Sequence, residues 1–259
     1  MLIVVSPAKK LDWTARDTAL TTPPFLADSA ALIEVMRGKS VSDIAKLMHL
    51  SDSLSKLNYD RYRDYAEAPT PDQLRPAIHA FAGDTYQGLD AASLDADELA
   101  FAQDHLRILS GLYGVLRPLD GMQPYRLEMG TRLKTNRGTN LYQFWGDRIA
   151  RALKTQAEAL GTDTLLNCAS QEYFGAVDLK ALGLRVVTPV FLDAKNGTEK
   201  VISFNAKRAR GAMARFAITR RLTTAEGLSD FDTGGYHFQP ARSGDTELVF
   251  LRNAEALAA

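Results

Sequence analysis

Apolar residues recur along this chain in two rhythms. Short continuous runs predict strands: Leu2 to Val5, stopping at Ser6-Pro7; Ala77 to Ala82, stopping at Gly83-Asp84; and Leu106 to Leu109. Further runs at Thr164 to Ala169, Arg185 to Leu192, Lys200 to Asn205 and Glu247 to Leu251 continue the series. Between them the spacing turns helical. From Asp28, the residues Ala31, Leu32, Val35 and Met36 share a face, and Gly38 follows as a stop. Ser40 with Asp43 reads as a capping box for a second helix carrying Val41, Ile44, Ala45 and Met48. A third helix starts at Ser51 or Ser53 and passes Leu54, Leu57, Tyr59, Tyr62 and Tyr65, and Pro69-Thr70-Pro71 closes this helical block. Tyr86 to Gln103 reads as mostly helical, Leu141 to Ala159 as one helix and Ala209 to Leu222 as another. This alternation predicts an α/β (α+β) fold, a mixed sheet flanked by helices, with a helical insertion at about residues 28–75.

One stretch concentrates both turn chemistry and polar reach. After the run at Leu106, the segment to Gly130 carries Gly111 and Gly114, then Pro118 and Pro124. Those glycines permit close backbone approach or positive φ, and the prolines stiffen the chain beyond them. Tyr113, Arg117, Asp120, Tyr125, Arg126 and Glu128 crowd into the same segment. The segment is read either as an anion pocket shared with Lys9 or as a rigid turn whose arginines are tied to its own acids. Other polar residues come just after predicted strands: Ser6 and Lys9 after the first, Glu172 and Tyr173 after another, Asp193 and Lys195 after a third. If those strands are parallel neighbours, the residues converge in one crevice above the sheet.

Charge adds a second candidate. Lysine plus arginine equals aspartate plus glutamate, 31 each, so a preference for polyanions must come from uneven distribution. The unevenness lies between Lys200 and Leu222, where Lys207, Arg208, Arg210 and Arg215 gather around an expected strand-to-helix junction. Such a basic stripe is a footprint for phosphate or nucleic-acid backbone. The single cysteine, Cys168, lies in an apolar run and reads as a buried hydrophobe rather than a redox thiol. The scattered histidines lack ligand spacing, so neither a metal site nor a cofactor is expected. No apolar run is long enough for a membrane span and no signal-peptide pattern opens the chain, so a cytoplasmic protein is expected.

Five segments occur in fixed order: SPAK from Ser6, SGLYGVLRPLD from Ser110, QPYRLEMG from Gln123, LYQFWGD from Leu141 and ISFNAKRARG from Ile202. In these the chain resembles the YaaA family of bacterial peroxide-stress proteins. The resemblance implies one domain over residues 1–259, a positively charged cleft, and a cytosolic role in limiting peroxide damage by lowering free iron. It also implies double-stranded DNA as partner and a helix-hairpin-helix element, for which Ile44 to Tyr62, turning at His49-Leu50-Ser51-Asp52, is the candidate. Two readings stand. One is DNA binding through Lys207, Arg208, Arg210 and Arg215. The other is an enzyme acting on a nucleic acid or phosphorylated small molecule through Ser6, Lys9, Tyr113, Arg117, Tyr125, Arg126, Glu172, Asp193 and Lys195.

Overall fold

A computed structural model describes residues 1–195 and 197–253, Lys195 by its backbone alone. The main sheet takes its centre from the most continuous apolar runs. Strand β1 (Leu2–Val5) is buried at every position, as are β2 (Leu106–Ser110) and β4 (Thr164–Cys168). Strands apolar on both faces require cover on both faces, the condition of a parallel sheet between helices. β1 runs parallel to β2 on one side and to β4 on the other. Beyond β4 come β5 (Arg185–Lys195) and β8 (Glu247–Asn253), all parallel. The edges are antiparallel: β3 (Gly114–Leu116) folds back on β2, and β7 (His237–Phe238) pairs with β8. A hairpin strand, β6 (Thr198–Lys200), returns along β5.

The helical insertion between β1 and β2 contains α1 (Leu26–Arg37), α2 (Val41–Met48) and α3 (Asp52–Asp64). The expected capping box forms: the Ser40 hydroxyl accepts from the Asp43 N–H, and the Asp43 carboxylate accepts from the Ser40 N–H at 2.9 Å. His49 ends α2 in the left-handed region, φ 53°, turning the chain into α3. The Tyr62 hydroxyl of α3 donates to the Arg126 carbonyl, fastening the insertion to the segment after β3.

Several local expectations are corrected. Ala77 to Ala82 is a single helical turn, Ala77–Ala80, followed by Phe81–Ala82 pairing with Lys10–Leu11. The helix expected over Leu141 to Ala159 is two, α6 (Leu141–Trp145) and α7 (Arg148–Ala159), because Gly146 turns the backbone at φ +52°. Tyr86 to Gln103 is mostly helical as expected, carried chiefly by α4 (Asp84–Leu89) and α5 (Ala96–His105). Lys200 to Asn205 is not a strand: β6 ends at Lys200 and α8 spans Ser203–Thr219. Lys207, Arg208 and Arg210 therefore lie inside the helix instead of ringing its start.

Helix α8 is held to α4 by two glycines at the point of closest approach. A Cβ on Gly211 would lie 1.8 Å from the Thr85 carbonyl oxygen, and one on Gly88 would lie 2.0 Å from that of Arg208. Only hydrogen fits in either place. Among the described residues no helix is long and apolar enough to cross a membrane.

Candidate functional site

The chain leaves β1 toward β2 and leaves β4 in the opposite direction, toward β5, so the pair β1/β4 is a topological switch point. In open parallel sheets the crevice beyond the strand ends at such a point is where ligands bind. The two strands end level, Val5 opposite Cys168. A cleft of about 320 Å³ opens there. Its floor joins the two strand ends: the Ser170 N–H donates to Ser6 Oγ at 2.9 Å, and the two hydroxyls lie 3.3 Å apart. Tyr86 from α4 donates to the Ser6 carbonyl at 3.1 Å.

One wall comes from the segment after β3. Tyr125 shares a 2.6 Å hydrogen bond with Ser110 Oγ, which also accepts from the Tyr113 N–H. Burial pushes the Tyr125 and Tyr173 phenols above their ordinary pKa, so both are neutral hydrogen-bonding groups. Glu128 takes Lys9 Nζ at 2.9 Å on one oxygen and Arg126 at 3.0 Å on the other. Glu172 accepts the Gly130 N–H at 3.0 Å, and its own carbonyl is held by the Tyr142 hydroxyl.

The opposite wall is α8, which contributes Lys207 and Arg210. Arg210 lies near Cys168, and burial lowers its pKa from the ordinary arginine value. Burial likewise pushes the Cys168 thiol up to about 12, so it is a packing residue of the cleft floor and not a thiolate. Summed over the lining, Lys9, Lys10, Arg126, Lys207 and Arg210 oppose Asp84, Glu128 and Glu172. The cleft is net positive.

Of the residues singled out in the sequence, Ser6, Lys9, Tyr125, Arg126, Glu172, Lys207 and Arg210 thus come together. Others do not. Tyr113 is buried and its hydroxyl accepts the Gln123 N–H at 3.0 Å. Arg117 pairs with the fully buried Asp120, 3.0 Å away, and donates to the Thr22 carbonyl. Gly111 is a point of close approach, its missing Cβ 2.2 Å from the Leu127 carbonyl, and Gly114 turns at φ +68° beneath Trp145. These glycines serve packing, so the Ser110 to Glu128 segment joins the cleft only through Tyr125 to Glu128.

Asp193 was expected beyond a strand end, but β5 runs to Lys195 and keeps Asp193 inside the sheet. There it faces Arg252 across the ladder, pairs with it, and accepts from Tyr236 at 3.2 Å. The Lys195 side chain lies outside the described residues. Arg215 donates to the Leu89 and Asp90 carbonyls, capping α4, and Arg208 is exposed outside the cleft. Ser170, Tyr86 and Asp84 were missed. Ser170 had a signal, since it comes after its strand as Ser6 comes after β1; the other two depend on how α4 docks.

Beside the cleft and sharing Glu128 and Glu172 with it lies a second depression, lined by Lys46, Met48, His49, Thr131 and Arg132. The α2/α3 turn and the basic face of α8 thus border one continuous surface. Among the described residues no group of three His, Cys, Asp or Glu side chains is placed to hold a metal ion.

A family model described as "Peroxide stress protein YaaA" matches residues 1–242. The chain belongs to this YaaA peroxide-stress family. Its relatives match over nearly their whole lengths. A UPF0246 protein of Ruegeria pomeroyi is 60% identical over 252 residues, covering 97% of this chain and 98% of that one. One from Roseobacter denitrificans is 58% identical over 254 residues, 97% and 98% of the two chains, and one from Caulobacter vibrioides 54% over 254, 97% and 99%. The YaaA assignment supports a role in peroxide stress.

Proposed function

We propose that this protein serves in peroxide stress by binding double-stranded DNA along the net-positive cleft and the depression beside it, and limiting its iron-dependent oxidative damage. One observation carries the DNA contact: the α2/α3 turn, with exposed Lys46 and His49, and α8, with Lys207 and Arg210, border one surface through Glu128 and Glu172. A backbone crossing that surface meets cations at both ends. Lys9 and Arg126 contribute less, because Glu128 neutralises them in place. Contacts of this kind are made to phosphate, position the duplex and carry no sequence information.

The test is a duplex titration by fluorescence anisotropy at several salt concentrations. Affinity falls linearly on a log–log plot, and Lys207→Ala lowers the slope by about one unit with sequence preference unchanged. Arg215→Ala, whose guanidinium is engaged by helix-end carbonyls, leaves the slope alone. A salt-insensitive isotherm would rule the reading out.

A further inference from the structure

We propose that the cleft admits one nucleotide unit, a single phosphate-bearing nucleoside anchored on Arg210, in addition to lying beneath a DNA backbone. The inference rests on the nucleic-acid reading of the same cleft and names what enters it.

Size is the first argument. A space of about 320 Å³ is at the lower end of the range for small-ligand sites. A double helix, whose major groove alone is about 12 Å wide, cannot enter it. A single nucleotide can, either free in solution or swung out of its duplex.

Charge is the second. Arg210 is half-buried on α8, yet among the described residues it has no ion pair and no hydrogen bond, unlike Arg117, Arg126, Arg215 and Arg252. A partly desolvated guanidinium with no anion costs stability, and its planar fork matches a phosphate. Exposed Lys207, one turn earlier, reaches the same wall and also lacks a counter-ion among the described residues. The phosphate therefore belongs at the α8 wall.

The other wall has the opposite chemistry. Glu172 accepts one backbone N–H and is paired to no cation among the described residues. Its carboxylate can accept from an amino group such as nucleobases carry. Pro7, Ala8 and Ala82 supply partly exposed apolar surface to the same lining. A phosphate-binding end, apolar lining and an amino-accepting carboxylate describe a nucleotide better than a bare anion.

Calorimetric titration of the full chain compares deoxynucleoside 5′-monophosphates, the matching nucleosides and inorganic phosphate. A duplex with one mispaired 2-aminopurine reports extrusion as a rise in fluorescence. The expected result is at least tenfold tighter binding of a monophosphate than of nucleoside or phosphate, lost at least tenfold in Arg210→Gln and partly kept in Arg210→Lys. If the Gln variant fails to fold, Glu172→Gln decides, with amino-bearing bases losing affinity and thymidylate unaffected. Monophosphates that bind while duplex does not identify a free nucleotide and overturn the DNA reading alone. Duplex binding with neither fluorescence rise nor monophosphate binding overturns this proposal alone. Phosphate binding as tightly as any monophosphate, or an Arg210→Gln variant indistinguishable from wild type, also overturns it.

Discussion

Replacing Gly211 by alanine sets a gain in helix propensity against a collision that no rotamer change relieves. The new methyl would sit 1.8 Å from the Thr85 carbonyl oxygen, 2.7 Å from its carbon and 2.9 Å from the Leu89 nitrogen, all backbone atoms of α4. Relaxed contact requires about 3.5 Å, so the helices must part by roughly 1.5 Å or more. Overpacking of this kind costs about 3 kcal/mol at the upper end of its usual range. The propensity gain of alanine over glycine returns about 1 kcal/mol. The net is a loss of about 2 kcal/mol, or about 4–8 °C in Tm for a chain of this length. Gly161→Ala is the control: it is left-handed at φ +63° with nothing within 4 Å, so it bears only the strain of a side chain there, about 1–2 kcal/mol. Urea denaturation gives both values. Because Lys207 and Arg210 ride on α8, duplex affinity per folded molecule should also fall in Gly211→Ala and not in Gly161→Ala. A Gly211→Ala variant as stable as wild type, with unchanged affinity, would refute the packing argument.

Arg117→Gln should lower stability by about 1–3 kcal/mol, leaving the buried Asp120 without its guanidinium while Thr21 and the Arg117 N–H still donate to it, and should leave duplex affinity unchanged; denaturant midpoints and anisotropy read the two effects separately. Burial pushes the His105 and His79 pKa values down. The unfolded chain thus protonates first as pH falls, so stability is full above about pH 6.5 and declines below it toward the lower folded values; urea midpoints measured across that window should slope this way, less steeply in His105→Gln. Cys168, buried and with its thiol raised to about 12, should stay unmodified by hydrogen peroxide or iodoacetamide in the folded protein and react only after denaturation, as mass spectrometry of the intact chain will show.

Whatever depends on near neighbours along the chain is legible in its residues alone. The runs at Leu2 and Thr164 are strands because they are apolar throughout, and Ser40 with Asp43 starts a helix because the cap closes within four residues. The grouping of Ser6, Lys9 and Glu172 was legible too, once strand-end residues are taken to share one edge of a parallel sheet. Partner choice was not legible. Arg117, Arg126, Arg210 and Arg215 look alike in sequence, but one locks a buried carboxylate, one pairs at the cleft wall, one has no partner among the described residues and one caps α4. Asp193 changed from candidate site residue to sheet residue because β5 continues past its apolar run wherever Arg252 on β8 can meet it. Gly88 and Gly211, unfavourable in any isolated helix, are required because two backbones approach too closely for a Cβ. Periodicity and capping are short-range properties of the chain, whereas burial of a charge or removal of a side chain is decided by what the fold brings alongside.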